Sequence, residues 1–216
     1  MNDHMIRNII FDFDGTLADT ASLIIATMQA TIGRMELPRK TEAECRATIG
    51  LRLEEVPSVI WPELGNIGAE YARTYRSIFE ELSRSYEVRC FPGVIDTLRQ
   101  LHAAGYGMAI ASSRSRRSLV EYVRLFNLTD CFCRLVGGDD VANGKPAPDP
   151  VLAILAAEGW DAAETLTVGD ADVDIIMGRT AGTATCAVTY GNGTPDELEN
   201  ARPDFTISRF NRLLKL

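Results

Sequence analysis

The chain has 216 residues, of which 46% are hydrophobic and 24% charged, and its formal net charge is −8. This length suffices for one large domain, or for one domain with a small insert, and the composition is that of an ordinary globular protein. A negative surface repels nucleic acid, and no apolar run approaches the roughly 18 residues that a membrane span needs. The N-terminal residues MNDHMIRN carry no secretory signal. We therefore expect a cytoplasmic monomer or weak homodimer that binds neither nucleic acid nor membranes.

Six short apolar segments along the chain are typical of buried β-strands. They are residues 6–13, 106–111, 134–136, 165–168, 184–189 and 205–208. Amphipathic helices are predicted between most of them, and Asp149 is expected to cap the helix that Pro150 begins. Strands and helices that alternate at this spacing predict an α/β fold with a parallel sheet.

Residues 18–88 interrupt the alternation, because every periodic segment in this range has a helical pattern. We interpret this stretch as an inserted helical subdomain, and Pro92-Gly93 marks the return to the sheet. The predicted division is therefore a core of residues 1–17 and 89–216 with a helical domain of residues 18–88.

Polar residues stand at, or just after, the carboxyl ends of three of the predicted strands. They are Asp12 in DFDGT, Ser112 after YGMAIA, and Asp170 in VGDADVD. Ligands of parallel α/β sheets bind at the carboxyl ends of the strands, so these side chains are expected to meet at one edge. Asp14 lies two residues after Asp12 and faces the same way on a strand, while Gly15 permits a sharp turn with free backbone N–H groups.

Each of these residues also has a simpler interpretation. The sequence DFDG is compatible with a solvated turn or a calcium-like loop, and Ser112 with an ordinary turn. Lys145 in NGKPAPDP is compatible with a solvated surface charge, and Asp170 with the cap of a helix. No single motif decides between these interpretations.

The four segments together resemble a known family. DFDGT, Ser112, Lys145 within GKPAPD, and GDADVD stand in the order of the four motifs of haloacid dehalogenase-like hydrolases. The resemblance covers almost the whole chain and is strongest to the subgroup with a helical cap after the first motif, such as phosphoglycolate phosphatases and β-phosphoglucomutases. It implies a doubly wound, Rossmann-like parallel sheet core with an inserted all-helical cap that selects the substrate.

The resemblance also implies the catalytic roles. Asp12 would be the nucleophile that forms an aspartyl-phosphate, and Asp14 the general acid that protonates the leaving alcohol and then activates water. Ser112, Ser113 and Lys145 would bind the phosphoryl group. Haloacid dehalogenases lack an acid at position 14, because a halide leaves without a proton, so Asp14 favours phosphoryl transfer.

A magnesium ion completes the implied site. Mg²⁺ would be held by Asp12, Asp170 and the backbone carbonyl of Asp14, and Asp174 would support the metal site or orient Lys145. Two unit charges about 4 Å apart repel by roughly 4 kcal/mol at an effective dielectric of 20, so these carboxylates and a phosphate need such a cation between them.

Two arginines are candidates for substrate specificity. Arg52 lies in TIGLRLEEV, which resembles the specificity loop of the cap, and it could meet a substrate carboxylate or a second phosphate. Arg114 lies with Arg116 and Arg117 in SSRSRRS near the predicted phosphate pocket. Arginine is mostly a solvated residue, and a helix that starts here would direct at least two of the three side chains to water.

The sequence therefore predicts a Mg²⁺-dependent phosphatase of a small organic phosphomonoester. One alternative is a sugar-phosphate mutase of the β-phosphoglucomutase kind, which would interconvert sugar phosphates without net phosphate release. An alternative of another class is a phospho-receiver signalling module, which would keep its aspartyl-phosphate for long periods.

Overall fold

The computed structural model describes residues 6–216. The first five residues, and with them part of the expectation about a secretory signal, lie outside this range. The strands are β1 (Asn8–Phe11), β2 (Ala18–Asp19), β3 (Arg89–Cys90), β4 (Gly107–Ala111), β5 (Arg134–Val136), β6 (Thr165–Gly169), β7 (Ala184–Val188) and β8 (Phe205–Ile207). The α-helices are α1 (Ala21–Arg34), α2 (Glu42–Arg46), α3 (Val56–Ile60), α4 (Gly68–Leu82), α5 (Val94–Ala103), α6 (Arg116–Leu125), α7 (Asp149–Glu158), α8 (Asp172–Thr180) and α9 (Pro195–Ala201). None of these helices combines the length and the apolar character that crossing a bilayer demands.

Six of the strands form one sheet in the order β5-β4-β1-β6-β7-β8, and every neighbouring pair is parallel. This confirms the predicted parallel α/β sheet, and each of the six predicted segments overlaps one strand. The first is shorter than predicted, because pairing with both neighbours begins at Asn8 and ends at Phe11. Asp12 still donates its backbone N–H to the Val168 carbonyl, and the chain turns after it.

Helices cover both faces of this sheet. Ile9 and Phe11 belong to a buried cluster with apolar residues of α5 and α6, whereas Ile10 belongs to a second cluster with residues of α7 and α8. Successive side chains of a strand point to opposite faces, so the apolar run of β1 feeds two cores. The fold is therefore the expected doubly wound, Rossmann-like arrangement.

The chain between β2 and β3 is helical, as predicted. It contains α1 to α4 and a 3₁₀ turn, and it has an apolar cluster of its own around Trp61, Tyr71 and Met28. The short strands β2 and β3 pair antiparallel at the two ends of this segment, with Ala18 opposite Cys90. We call residues 18–88 the inserted segment; its status as a separate domain stays a prediction.

The predicted helix cap at Asp149 is wrong. Helix α7 begins at Asp149 itself, after Pro148, and this end has no side-chain cap. The Asp149 carboxylate instead accepts hydrogen bonds from the backbone N–H and the side-chain amide of Asn143, at 3.3 and 2.9 Å. Its role is to hold the loop that leads to Lys145.

Candidate active site

Three neighbouring strands place Asp12, Ser112 and Asp170 at one edge of the sheet. Backbone hydrogen bonds continue the ladder past the strand ends: the Asp12 N–H donates to the Val168 carbonyl at 2.8 Å, and the Ser112 N–H donates to the Val136 carbonyl at 3.0 Å. All three side chains are buried. The structure thus brings together the residues that follow β1, β4 and β6, although more than 150 positions separate the first from the last.

Lys145 is inside the protein, so its interpretation as a solvated surface charge is wrong. Its side chain is 1% exposed, and Nζ donates to the Asp12 carboxylate and, at 2.6 Å, to Oδ1 of Asp174. Burial alone opposes the charge, but the two carboxylates outweigh it and raise the pKa of Lys145 above its ordinary value. The ammonium group is therefore a permanent positive charge beside Asp12.

Asp170 is not a helix cap. Helix α8 starts two residues later, and the Asp170 carboxylate accepts hydrogen bonds from Thr16 Oγ1 at 3.0 Å and from the Asn192 backbone N–H at 2.6 Å. Burial and then the charge of Asp174 raise the pKa of Asp170 to about 7. The protein therefore makes it costly to ionise this group unless a cation is present.

Asp12, Asp170 and Asp174 form a compact acidic group. One carboxylate oxygen from each lies within 4.8 Å of the others, and all three residues are buried. Burial raises the pKa of Asp12; Lys145 counteracts this, and the neighbouring carboxylates add to it. One lysine does not balance three carboxylates, and a hard divalent cation with oxygen ligands suits such a group.

Gly15 is required by its backbone and by the space around it. Its φ is +93°, and a Cβ placed there would overlap Oδ2 of Asp170 and the side-chain amide of Asn192. The expected free N–H for an anion is not found, because the Gly15 N–H donates to the Ala18 carbonyl at 2.9 Å. Gly15 therefore lets the loop that follows β1, which we call the first loop, approach Asp170 closely.

Arg114 forms an ion pair with Asp14. Its Nε donates to Oδ2 of Asp14 at 3.1 Å and its Nη2 to Oδ1 at 2.5 Å, while Thr20 Oγ1 donates to Oδ1 at 2.6 Å. The Arg114 side chain is 7% exposed and lies within 4.9 to 5.6 Å of three aromatic rings. The rings belong to Phe13, Phe79 and Tyr122.

Of the three arginines in SSRSRRS, only Arg114 is buried. Arg116 and Arg117 have 53% and 81% of their side chains exposed, in line with the expectation that two would point to water. Arg114 differs because it precedes α6 and faces the first loop. Its pKa is raised, since the charge of Asp14 outweighs the effect of burial.

Ser113 and Arg52 connect the sheet edge to the inserted segment. Ser113 Oγ donates to the Gly50 carbonyl at 2.5 Å. The Arg52 guanidinium donates to the carbonyls of Gly138 and Ala142, both at 2.7 Å. Arg52, expected to meet a substrate carboxylate, thus has backbone partners in the loop that leads to Lys145.

Arg52 also packs against Gly144. A Cβ on Gly144 would lie 2.5 Å from Cδ of Arg52, which is too close for an ordinary contact. We expect Gly144→Ala to lower the free energy of unfolding by about 1–3 kcal/mol, the usual cost of overpacking. In an Arg52→Ala background the same substitution should cost less than about 0.5 kcal/mol, since the obstacle is gone.

Urea unfolding of the two single variants and the double variant measures this coupling. Equal costs of Gly144→Ala in both backgrounds would contradict the contact. Gly159→Ala is unsuitable as a control because its φ is positive. Gly33→Ala on α1 serves as the comparison: a Cβ added there would meet no atom within 4 Å, and the gain in helix propensity, up to about 1 kcal/mol, should be the same with Arg52 and in the Arg52→Ala background.

Four further residues belong to the site and were not predicted. Thr16 binds Asp170, Thr20 binds Asp14, and Tyr190 Oη donates to the Thr16 carbonyl at 2.9 Å. The side-chain Nδ2 of Asn192 is buried without a partner among the described residues. The sequence signal for the last two was their position: YGNG follows β7, another strand that ends at the same edge.

A cleft of about 590 Å³ lies between the strand ends and the inserted segment. Asp12, Asp14, Ser112, Ser113 and Arg114 line its inner end. This volume is within the usual range for a small-molecule site, roughly 300–1,000 Å³. The side chains predicted to carry the chemistry therefore open onto, or lie directly behind, one cavity.

Comparison with known proteins gives the family. Residues 9–188 match the haloacid dehalogenase-like hydrolases. The chain is 34% identical to the protein named "Probable phosphatase IndB" of Dickeya dadantii, over 95% of this chain and 91% of that one. It is 32% identical to the pyrophosphatase PpaX of Bacillus pumilus, over 100% and 98%, and 31% identical to the phosphoglycolate phosphatase of Aquifex aeolicus, over 98% and 96%.

A solved structure agrees with these sequence matches. The crystal structure of a protein from Bacteroides fragilis, described as a haloacid dehalogenase-like hydrolase, superposes with a TM-score of 0.86 at 27% identity, over 96% of this chain and 99% of that one. The chain therefore belongs to the haloacid dehalogenase-like hydrolase family. Relatives that are named as phosphatases match it over almost its whole length. It is therefore a hydrolase of the phosphatase class.

Proposed function

We propose that this chain is a Mg²⁺-dependent phosphatase that hydrolyses a small organic phosphomonoester through an aspartyl-phosphate. The observation that carries the proposal is the placement of buried Lys145 between Asp12 and Asp174, with Asp170 within reach of both carboxylates. Such a group is more than a structural ion pair, since it contains more negative charge than its lysine can balance, and uncompensated buried charge is destabilising.

Asp12 is the nucleophile in this proposal. Lys145 binds its Oδ1, and the second oxygen attacks phosphorus. The bond from phosphorus to the ester oxygen breaks, and the alcohol leaves with a proton from Asp14. Lys145 and Ser112 donate hydrogen bonds to the phosphoryl oxygens, where negative charge is spread in the transition state.

Asp14 supplies the proton and later removes one from water. Its carboxylate accepts three hydrogen bonds from Arg114 and Thr20, which fix its orientation at the inner end of the cleft. General acid–base catalysis needs the carboxylate within hydrogen-bond reach of the leaving oxygen. Arg114 is thus a positioning residue for Asp14.

The donor set fits magnesium. Asp12, Asp170 and the backbone carbonyl of Asp14 would be its ligands, all of them the oxygen donors that Mg²⁺ prefers. When bound, the ion neutralises the negative charge shared by the phosphoryl group and the carboxylates. Asp174 accepts hydrogen bonds from Lys145 and from the Ala171 N–H at 3.1 Å, so we assign it the orientation of the lysine.

The test is phosphate release from a panel of phosphomonoesters by the purified protein. We expect release that requires Mg²⁺ and stops with EDTA. No release from any ester in the presence of Mg²⁺ would contradict the proposal. Interconversion of sugar phosphates without free phosphate would favour the mutase, and an aspartyl-phosphate stable for hours would favour the receiver.

Magnesium should stabilise the protein more at high pH than at low pH. Burial raises the pKa of Asp170 from its ordinary 3.8 to about 7, and that of Asp12 is also raised. An acid with a higher pKa in the folded protein than in the unfolded chain binds its proton preferentially when folded. In the metal-free protein, protonated Asp170 therefore contributes fully to the free energy of unfolding below pH 4. This contribution is lost as the pH rises toward 7.

Magnesium binds only the ionised carboxylates, so its effect increases over the same pH range. We expect the rise in Tm on adding Mg²⁺ to be larger at about pH 8 than at about pH 5.5. Thermal unfolding at both pH values measures it, with Asp170→Asn as the variant that should lose the Mg²⁺ effect. An equal Mg²⁺ shift at both pH values would contradict the expected linkage.

A further inference from the structure

The inserted segment contributes a group of apolar side chains to the wall of the cleft, beside the charged side chains of Arg52, Glu54, Arg76 and Glu80. The apolar members are Ile24, Met28, Ile49, Leu51, Leu53 and Phe79. They line the same cavity as Asp12 and Asp14, so they offer apolar surface to whatever is attached to the phosphoryl group.

The arginines of the cleft already have hydrogen-bond partners. Arg76 binds Glu54 at 2.7 Å and Arg117 binds Glu121 at 3.1 Å. Arg52 donates to two backbone carbonyls. Arg114 forms an ion pair with Asp14 and lies beside three aromatic rings. Every arginine in the lining therefore has a partner within the described residues.

The lining also contains more negative than positive charge. Six carboxylates face four arginines, and Lys145 is committed to Asp12 and Asp174. The positive charge at the inner end is needed for the phosphoryl group itself. A second anionic group on the substrate would meet apolar side chains and a lining in which carboxylates outnumber arginines. These carboxylates would repel it, because they carry the same sign of charge.

We infer that the leaving group of the substrate is an uncharged alcohol with an apolar surface, and not one that carries a carboxylate or a second phosphate. The inference rests on the proposed function and specifies its substrate class. The volume of about 590 Å³ accommodates a ring-sized alcohol. Burial of apolar substrate surface against this wall supplies binding energy.

Benzyl phosphate and 4-carboxybenzyl phosphate form a matched pair of probes. They differ by one carboxylate remote from the ester, and their leaving alcohols are of similar acidity. We expect kcat/KM for benzyl phosphate to exceed that for 4-carboxybenzyl phosphate, phosphoglycolate and pyrophosphate by about tenfold or more, the scale of discrimination by one unfavourable contact. A charged substrate that is used as well as benzyl phosphate overturns the inference.

A charge placed in the wall should reverse the preference. Leu53→Lys is expected to raise kcat/KM for 4-carboxybenzyl phosphate relative to benzyl phosphate by about tenfold. Val59→Lys adds the same charge on α3, where Val59 is 57% exposed and outside the cleft lining, and should leave the ratio unchanged. An unchanged ratio in Leu53→Lys, with an unaltered Tm, overturns the role of the wall.

Arg114 provides the second decisive variant. Suppose that phosphoglycolate is the better substrate and that Arg114→Met abolishes this preference. Arg114 then leaves Asp14 and binds the carboxylate of the substrate. In that case the inference is wrong, while the phosphatase proposal stands. Absence of hydrolysis of every ester with Mg²⁺ present overturns the phosphatase proposal and the inference together.

Discussion

Asp12→Asn is expected to lower kcat for phosphate release by roughly 10⁴-fold or more, the scale seen when a nucleophile is removed. An amide oxygen does not form a stable acyl phosphate, and the substitution also removes one of the two carboxylates bound by Lys145. The measurement is phosphate release from benzyl phosphate in saturating Mg²⁺, compared with the parent protein at equal concentration.

Loss of folding would not explain this result. Asp12 has a raised pKa because it is buried beside other carboxylates, so replacement by a neutral side chain of the same shape relieves repulsion. Lys145 keeps Asp174 as its partner. We expect Tm to be unchanged or higher in Asp12→Asn, and activity within about tenfold of the parent would contradict the nucleophile role.

Asp14→Asn is expected to lower kcat by about 10² to 10⁴, the usual contribution of general acid–base catalysis. The loss should depend on the leaving group, because a poor leaving group needs the proton that Asn does not supply. With benzyl phosphate the first step becomes slow. With 4-nitrophenyl phosphate that step needs little assistance, so one equivalent of nitrophenolate should appear in a burst before slow turnover.

Thr20→Val is the matched control for Asp14→Asn. It removes one hydrogen bond to the Asp14 carboxylate while Arg114 retains two, so a change of less than about tenfold is expected. Tm is measured alongside, since Asp14→Asn deprives buried Arg114 of its counter-ion. An Asp14→Asn protein whose pH–rate profile matches that of the parent would contradict the acid–base role.

The gathering of Asp12, Ser112 and Asp170 was predictable because it follows from a general rule. Each follows an apolar strand, and the carboxyl ends of parallel strands share one edge. Lys145 was not predictable from residue patterns, since it lies nine residues beyond the end of β5 and a strand end does not determine the position of a side chain that far along a loop; only the order of the motifs in the family placed it at the site.

The arginines show where residue patterns are insufficient. Arg114, Arg116 and Arg117 stand in one short basic run, and nothing local distinguishes them. The structure pairs Arg114 with Asp14, which is 100 positions away, and leaves the other two in water. Arg52 likewise finds its partner Ala142 at a distance of 90 positions. Which partner each arginine has depends on how the inserted segment lies over the sheet edge.

By itself, the sequence determined the parallel α/β sheet, the helical character of the inserted segment and the placement of acidic groups at strand ends. Alternation of apolar residues and strand-end chemistry are local properties, so a chain expresses them directly in its order of residues. The tertiary structure alone decided which cations face Asp12 and Asp14, which arginines hold the inserted segment, and how much free charge the cleft contains. Ion pairs and hydrogen bonds between distant positions depend on distances of a few ångströms, which are set only when the whole fold is packed.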